Sequence, residues 1–180
     1  MGFVGSKIYG VLVAYPASAK KKNILVRETN CNIKSKMGVK VKLKRLSPEA
    51  VMPSKGTDQS AGYDLTAISA FWDKERNQVK YFFGLAFEIP EGYVGLIFPR
   101  SSVCKKDLSL SNCVGVIDSD YRGEVTAVFN VTDTSKDNVY SVGDRIAQMV
   151  FMQLPEVELT EVEELSETKR GTGGYGSTGK

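Results

Sequence analysis

The chain of 180 residues contains no histidine, and this absence excludes several kinds of chemistry at once. Without an imidazole, neither a Ser-His-Asp nor a Cys-His nucleophile can form, and no metal can be held by histidine. The three cysteines, Cys31, Cys104 and Cys113, lack C-x-x-C spacing, which argues for reduced thiols in a reducing compartment and against a zinc site. Any general base must therefore be a carboxylate, a lysine or a tyrosine.

Long apolar runs and sustained helical periodicity are also missing, and no segment is long enough to span a membrane. Instead, valine or leucine alternates with lysine over residues 39–44, which is typical of a strand with one buried face. Further β-rich runs follow at residues 81–89, 93–98, 125–131 and 146–154. This pattern predicts an all-β barrel or sandwich.

The sequence predicts three parts: a basic N-terminal extension over residues 1–37, a β-barrel core over 38–165 and a flexible glycine-rich arm over 166–180. Residues 1–36 contain seven lysines or arginines and one glutamate, a net charge of +6, so the remaining residues carry −3 of the total of +3. Contact with nucleic acid is therefore a hypothesis for the extension alone. We expect a cytoplasmic protein, or a nuclear or organellar one in a eukaryote, that is neither secreted nor membrane-bound.

Polar residues interrupt the apolar strands at four places upstream of the arm. Asp64 lies in a β context, and Gln148 lies in an otherwise apolar strand. Arg100 is followed by two serines at a strand end, and such a group can hold a phosphate through charge-assisted hydrogen bonds, although an ordinary surface turn has the same composition. Residues 112–125 are predicted to form a hairpin with apolar arms and an acidic tip, where Asp118 is a candidate to take a proton from water.

The arm has two interpretations, because five of the ten residues 170–179 are glycine. Such a segment is typical of a disordered terminus. It would equally suit a flap that closes on an anion, since amides, hydroxyls and Arg170 can donate to phosphate oxygens while Tyr175 offers a flat face to a base.

Taken together, five motifs of this chain resemble those of the trimeric dUTPase family. They are AGYDL at 61–65, PRSS at 99–102, NCVGVIDSDYRGEV at 112–125, GDRIAQ at 143–148 and RGTGGYGSTG at 170–179. Each motif alone is weak, whereas all five in this order and spacing over residues 38–180 are specific; residues 1–37 lie outside the resemblance. The resemblance implies a homotrimer of distorted jelly-roll β-barrels with exchanged C-terminal arms. It also implies a dUTP diphosphatase that uses Mg²⁺ to hydrolyse dUTP to dUMP and pyrophosphate, which keeps uracil out of DNA and supplies dUMP for dTMP synthesis.

The resemblance further implies roles for individual residues. Asp118 matches the general base that orients a water for in-line attack on the α-phosphorus. Tyr121 matches the residue that packs against deoxyribose and leaves no room for a 2′-hydroxyl, while Asn112 and the backbone at Val116 and Ile117 match the edge that reads uracil.

The phosphates and the metal complete this set. By resemblance, Mg²⁺ is held mainly by the substrate's phosphates, with Asp64 near its water shell. Arg170, Ser177 and Thr178 match a clamp on the γ-phosphate, and Tyr175 the aromatic that stacks on uracil. The substrate-binding positions are then Arg100, Ser101, Ser102 and Gln148 in the core and Arg170, Tyr175, Gly176, Ser177 and Thr178 in the arm. This chain has Ser102 where many members have glycine, Thr172 where serine is frequent and Tyr175 where phenylalanine is commoner.

Two alternatives stay open at this point. A dCTP deaminase, or a bifunctional deaminase and dUTPase, shares the fold, but its chemistry asks for a glutamate at the cytosine ring, and Asp118 with the Tyr175 arm fits hydrolysis better. A regulatory binding module would use the same fold and the basic extension to contact a protein or a nucleic acid.

Overall fold

The computed structural model describes residues 7–8, 11–12, 38–134 and 138–175. The chain divides into two compact units, Met1–Gly38 and Val39–Lys180. Within the described part of the first unit, two short strands, β1 (Lys7–Ile8) and β2 (Val11–Leu12), pair antiparallel. The described residues contain no helix with the length and hydropathy needed to cross a membrane.

The second unit is built from antiparallel strands. They are β3 (Lys42–Arg45), β4 (Tyr63–Thr66), β5 (Ser69–Asp73), β6 (Gln78–Phe82), β7 (Leu85–Glu88), β8 (Tyr93–Pro99), β9 (Leu108–Leu110), β10 (Gly115–Ile117), β11 (Thr126–Val131) and β12 (Arg145–Gln153). One 3₁₀ helix, Ser101–Lys105, follows β8. Two four-stranded sheets, β10-β8-β12-β4 and β5-β6-β11-β9, are accompanied by the pair β3-β7. The prediction of an all-β fold is confirmed.

Alternation along the strands builds the core. Val79 and Tyr81 of β6 are buried and lie opposite Phe129 and Ala127 of β11, so that these four side chains share one face of their sheet. The rings of Tyr81 and Phe129 meet edge to face with centroids 5.9 Å apart. Burying each large apolar side chain contributes roughly 1.5–3 kcal/mol, and this gain holds the sheet in register, because a slip of one residue would turn the buried face outward.

Gly84 divides the apolar run at 81–89 into two strands. Its backbone φ of +64° is one that residues with a Cβ rarely adopt. A Cβ at this position would also lie 2.6 Å from Cδ1 of Ile68. Its carbonyl accepts a hydrogen bond from the amide of Leu46 at 2.8 Å. The chain therefore leaves the β6 sheet at this glycine and continues as β7, which pairs with β3.

The predicted hairpin over residues 112–125 is wrong. β10 pairs with β8, whereas β11 pairs with β6 and β9, so the two arms lie in different sheets. The reason is burial: Gly115 packs closely against Ile97 of β8, and Phe129 is fully buried beside Val79 of β6. The acidic residues therefore lie in a loop, residues 118–125, that connects the sheets.

Candidate active site

The sheet β10-β8-β12-β4 brings four of the five sequence motifs together. The motif at 61–65 enters β4, that at 99–102 follows β8, that at 112–125 contains β10, and that at 143–148 opens β12. Gln148 of β12 lies opposite Asp64 on β4 and opposite Phe98 on β8. Neighbouring strands thus place an aspartate, an amide and an arginine at one edge, although these residues are far apart in sequence.

Asp64 binds two arginines at this edge. Its Oδ1 accepts a hydrogen bond from Nε of Arg100 at 2.8 Å, and its Oδ2 accepts one from Nη1 of Arg145 at 3.1 Å. The Asp64 side chain is only 11% exposed, so these charge-assisted bonds compensate its loss of water. Nη1 of Arg100 also donates to the carbonyl of Arg145 at 3.3 Å. We name Asp64, Arg100, Arg145 and Gln148 the arginine cluster.

Gln148 is held against the backbone of two neighbouring segments. Its Nε2 donates to the carbonyl of Pro99 at 3.2 Å. A Cβ on Gly62 would lie 2.8 Å from Oε1 of Gln148, so glycine at this position makes room for the amide. The arginine cluster therefore presents guanidinium and amide donors from a rigid sheet, which suits an anion.

A second group of predicted residues lines a small pocket at β10. The pocket has a volume of about 150 Å³ and is lined by Val116, Ile117, Asp118, Tyr121, Glu124, Val125 and Thr126. Four of these seven, Val116, Ile117, Asp118 and Tyr121, are positions that the sequence predicts for binding or catalysis. We name this cavity the β10 pocket. Its lining combines the apolar side chains of Val116, Ile117 and Val125 with polar groups, among them the exposed carboxylate of Asp118.

The loop at residues 118–125 is stiffened by its own hydrogen bonds. Nη1 of Arg122 donates to the carbonyls of Ser119 at 2.6 Å and Tyr121 at 3.0 Å. The amide of Tyr121 donates to the carbonyl of Asp118 at 3.2 Å, and the Tyr121 hydroxyl donates to the carbonyl of Glu124 at 3.1 Å. The loop therefore holds the backbone of Asp118 and the Tyr121 ring in place.

Ser101 and Ser102 have different surroundings. Ser101 is exposed, whereas the Ser102 hydroxyl lies 2.9 Å from the hydroxyl of Tyr140, with which it shares a hydrogen bond. Behind it, the hydroxyl of buried Tyr81 donates to the carbonyl of Tyr140 at 2.8 Å, and burial raises the pKa of Tyr81 to about 12. Ser102 thus anchors the 3₁₀ helix to the core, and Ser101 is the serine that faces solvent.

The arginine cluster and the β10 pocket lie at opposite ends of β8. Ile117, the last residue of β10, is opposite Gly95, whereas Arg100 follows the far end of β8. Five residues of extended strand separate Gly95 from Arg100, which is about 16 Å at 3.3 Å per residue. Within one chain, the structure therefore does not bring the predicted phosphate-binding residues to the predicted general base.

The arm and Asn112 also lie apart from both groups. Nε of Arg170 donates to the carbonyl of Gly173 at 2.8 Å within a local turn, and Tyr175 is fully exposed. Gly176, Ser177 and Thr178 lie outside the described residues. Asn112 lines a neighbouring cavity of about 380 Å³ together with Gly115 and Ile97.

Sequence reasoning assigned no role to Arg145, Glu124 or Tyr140. Arg145 and Glu124 are inside the quoted motifs, so their presence was visible, but their partners Asp64 and Gly84 lie 81 and 40 residues away. Only pairing of the strands reveals such contacts. Among the described residues, no group of three or more carboxylates or cysteines is arranged to hold a metal ion.

Comparison with protein families decides where this chain belongs. The family model described as dUTPase matches residues 48–179, which is more than half of the chain. The chain belongs to the dUTPase family. The resemblance drawn from the five motifs is confirmed, and the β10 pocket and the arginine cluster are thus features of a dUTPase-family sheet.

Individual relatives cover most of the chain. It is 41% identical over 143 residues to the deoxyuridine 5′-triphosphate nucleotidohydrolase of Nautilia profundicola, covering 79% of this chain and 100% of that protein. It is 42% identical over 139 residues to the mitochondrial deoxyuridine 5′-triphosphate nucleotidohydrolase of Dictyostelium discoideum, covering 77% and 76%.

Solved structures agree with this assignment. The dUTPase of Staphylococcus bacteriophage 80alpha, solved with dUPNHPP, is 30% identical to this dUTPase-family chain with a TM-score of 0.68, covering 78% of this chain and 98% of that one. A variant dUTPase from phage phi11 of S. aureus, described with a structural Mg(II) ion, has a TM-score of 0.60 at 26% identity, covering 69% and 97%. The fold is therefore that of the family.

Proposed function

We propose that this protein is a dUTP diphosphatase, which hydrolyses dUTP to dUMP and pyrophosphate and thereby keeps uracil out of DNA and supplies dUMP. One observation carries the proposal: the sheet β10-β8-β12-β4 presents the arginine cluster at one end of β8 and the β10 pocket with Asp118 at the other. These are the two halves that hydrolysis of a nucleoside triphosphate requires. The relatives named as deoxyuridine triphosphate nucleotidohydrolases support the choice of base.

Asp118 is the general base in this proposal. It follows β10 directly at the lip of the β10 pocket and is exposed. It takes a proton from water, whose oxygen forms a bond to the α-phosphorus. The bond from that phosphorus to the bridging oxygen breaks, and pyrophosphate leaves with the bonding electron pair. A base of this kind contributes roughly 10²–10⁴-fold to the rate.

The β10 pocket accounts for recognition of the nucleoside. Val116 is 60% exposed and Tyr121 44% exposed, so both offer apolar area that a bound sugar and base would cover. We infer that the Tyr121 ring packs against deoxyribose, where a 2′-hydroxyl would collide with it. The backbone at Val116 and Ile117 reads uracil together with Asn112, which lines the neighbouring cavity.

The arginine cluster holds the phosphates. Arg100, Ser101 and Gln148 donate hydrogen bonds to phosphate oxygens, while Asp64 fixes the guanidinium of Arg100 in place. Ser102 is also assigned to the phosphates, although the hydroxyl of Tyr140 already engages it. Positioning and charge neutralisation of this kind carry most of the catalysis in phosphoryl transfer.

The residues present fit Mg²⁺ held mainly by the substrate's phosphates. Both oxygens of Asp64 already accept bonds from guanidinium groups, so a contact from Asp64 to the metal would run through water. Mg²⁺ suits such a site because it keeps several waters and binds substrate phosphates. When bound, it would neutralise charge on the phosphate oxygens.

A trimer explains why the two halves of the site are separate in one chain. We propose that each active site combines the arginine cluster of one subunit with the β10 pocket of another. This removes the gap of about 16 Å along β8, since the two ends of the strand then serve different sites. A site placed between subunits draws on rigid sheet edges from both.

The segment after β12 supports this assembly. Residues 154–170 are exposed throughout, and apolar side chains recur there, with Leu159 93% and Leu165 87% exposed. The second unit also contains a groove of about 430 Å³ between β3 and β4, lined by Val41, Tyr63 and Phe151 together with Lys40 and Lys55.

Charge matches this segment to that groove. The segment carries Glu156, Glu158, Glu161, Glu163 and Glu164, and the groove is lined by Lys40 and Lys55. We propose that the segment packs in the groove of a neighbouring subunit. The arm, with Arg170, Tyr175, Gly176, Ser177 and Thr178, then reaches that neighbour's site and closes over the nucleotide.

Release of pyrophosphate tests the function. dUTP, dCTP, dTTP and UTP are compared with and without EDTA, and release of ammonia from dCTP is followed in parallel. We expect hydrolysis of dUTP alone, with loss of activity in EDTA. Ammonia from dCTP would instead identify a deaminase, and absence of pyrophosphate from dUTP would overturn the proposal.

Location and further partners follow from the same proposal. We propose a cytoplasmic enzyme, or a nuclear or organellar one in a eukaryote; the Dictyostelium relative is named as mitochondrial. Binding of a protein or nucleic acid by the basic extension stays a prediction, because nearly all of residues 1–37 lie outside the described residues. Deletion of residues 1–36 tests it, since a second function would be lost while dUTP hydrolysis is kept.

A further inference from the structure

Glu124 lines the β10 pocket and bonds to the turn between β6 and β7, which is far from it in sequence. Its carboxylate Oε1 accepts a hydrogen bond from the backbone amide of Gly84 at 2.8 Å. Gly84 belongs to the turn between β6 and β7, 40 residues before Glu124 in sequence. A carboxylate that accepts a backbone amide forms a charge-assisted bond, which is roughly twice as strong as a neutral one.

The backbone of Glu124 also contacts Tyr121. The Tyr121 hydroxyl donates to the carbonyl of Glu124 at 3.1 Å. The ring also lies directly on Gly123, where a Cβ would come within 2.6 Å of Cζ of Tyr121. The backbone of residues 123–124 is therefore the surface that sets where the ring lies.

Gly84 is a firm anchor for this backbone. Its amide donates to Glu124, its carbonyl accepts the amide of Leu46 at 2.8 Å, and Ile68 packs against its Cα. The amide of the next residue in the loop, Val125, donates to the carbonyl of Leu85 at 2.8 Å. Two adjacent residues of the loop are thus bonded to two adjacent residues of the β6–β7 turn.

We propose that Glu124 is a positioning residue for discrimination between deoxyribose and ribose: its carboxylate fastens the loop backbone to Gly84, and that backbone holds the Tyr121 ring against the sugar. This inference rests on the proposed role of Tyr121. Without the bond to Gly84, the backbone at Glu124 shifts and the ring gains room to move, so a 2′-hydroxyl fits more easily. The charge of Glu124 takes no part in the chemical step.

The test compares Glu124→Met with Glu124→Gln in the full chain. Methionine keeps the size of the side chain but accepts no bond from Gly84, whereas glutamine keeps an acceptor oxygen and loses the charge. The readout is the ratio of kcat/KM for dUTP to that for UTP, measured on one preparation of each variant. This ratio does not depend on the fraction of folded enzyme.

We expect Glu124→Met to lower the ratio by about tenfold, the scale on which misplacing a contact changes specificity. Glu124→Gln should keep the wild-type ratio, and Glu124→Met should cause no further loss in a Tyr121→Ala background. If Glu124→Met yields no folded protein, Glu124→Asp, which falls short of Gly84 by one methylene, carries the same expectation.

Three results would overturn the inference, and they are distinguishable. An unchanged ratio in Glu124→Met, with a lowered ratio in Tyr121→Ala, would refute the role of Glu124 and leave the proposed function intact. Equal losses in Glu124→Gln and Glu124→Met would show that the charge matters instead of the acceptor. An unchanged ratio in Tyr121→Ala would refute both the role of Tyr121 and that of Glu124.

Discussion

Asp64 joins arginines from two strands, so one carboxylate sets the geometry of the phosphate-binding end of the sheet. We expect Asp64→Asn to lower kcat/KM for dUTP by more than about tenfold, because an amide holds the guanidinium of Arg100 less strongly than a carboxylate does. The free energy of unfolding should fall by roughly 1–3 kcal/mol, since the Arg100 side chain, 29% exposed, and the more exposed Arg145 side chain lose their counter-charge. Steady-state kinetics and urea denaturation measure both effects.

The matched control for this change is Asp58→Asn. Asp58 is exposed in a turn of the connection between β3 and β4. Its replacement should therefore change neither kcat/KM for dUTP nor the free energy of unfolding appreciably. Wild-type kcat/KM in Asp64→Asn would contradict the view that this carboxylate positions Arg100.

The two serines after Arg100 offer a direct comparison. The Ser102 hydroxyl is bonded to Tyr140, so Ser102→Gly should cost about 1 kcal/mol of stability. Its kcat/KM should stay within about threefold, whereas Ser101→Gly should lower kcat/KM by more than about tenfold, as expected when a donor to a phosphate is removed. Steady-state kinetics of both variants measure the two values of kcat/KM. A larger loss of kcat/KM in Ser102→Gly than in Ser101→Gly would assign the phosphate contact to Ser102.

Tyr81 makes stability depend on pH in the alkaline range. Burial raises the pKa of its hydroxyl from 10.0 to about 12. Because the folded state holds this proton more tightly than the unfolded chain, the stabilisation is complete below about pH 10 and is lost as the pH rises to about 12. The free energy of unfolding of the wild type should therefore fall more steeply over this range than that of Tyr81→Phe. Parallel urea titrations measure the two slopes, and equal slopes would exclude this role.

Among the elements, the segment after β12 is the one whose role in subunit association can be tested by a single substitution. Leu159 is 93% exposed in one chain, so Leu159→Asp would be harmless in a monomer. In the proposed trimer the side chain is buried in a neighbour's groove, and its loss should weaken association by more than tenfold, since a buried leucine contributes about 2 kcal/mol. Analytical ultracentrifugation over a dilution series measures this.

Thr160→Asp is the control, because Thr160 is also exposed and its replacement introduces the same charge at the neighbouring position without removing a large apolar side chain. Equal weakening by both substitutions would indicate a general effect of charge. Unchanged association in Leu159→Asp would argue against packing of this segment on another subunit.

The strands also show how far sequence patterns reach. Alternation of valine or leucine with lysine at 39–44 predicted β3, and the β-rich run at 125–131 predicted β11, in which the buried side chains follow a period of two. Strand β5 was missed, and the pairing of residues 112–125 was predicted wrongly. β5 is an exposed edge strand with Phe71 60% exposed, so no pattern of burial marks it.

The motifs located nearly every residue of the two site halves, yet they left the distances between them open. The bonds of Asp64 to Arg145 and of Glu124 to Gly84 join residues from separate strands and turns. Which strands become neighbours depends on burial of side chains such as Phe129 and Met149 across the whole core. A local pattern does not contain that information.

For the whole molecule, shared active sites predict complementation between two defective chains. Asp118→Asn should lose turnover by at least about 100-fold as its base is removed, while it still binds dUTP. A chain lacking residues 170–180 should also be inactive, because its arm closes no site. After subunit exchange, the mixture should regain measurable hydrolysis of dUTP, since the two defects can fall in different sites of one trimer.

Exchange is followed by mass spectrometry of differently labelled chains. Recovery of pyrophosphate release in the mixture, absent from either chain alone, is the expected result. A mixture that exchanges fully and stays inactive would mean that arm and base serve the same site within one subunit.

The position of β8 gives the proposed trimer a mechanical property. One end of this strand carries Arg100, and the other lies beside the β10 pocket. In a trimer with shared sites, β8 therefore connects two neighbouring catalytic centres. The length of its seven residues sets the distance between those two centres. A nucleotide that pulls on Arg100 at one centre loads β8, which pairs with β10 and so supports the general base Asp118 of the next centre; the three centres therefore need not turn over independently.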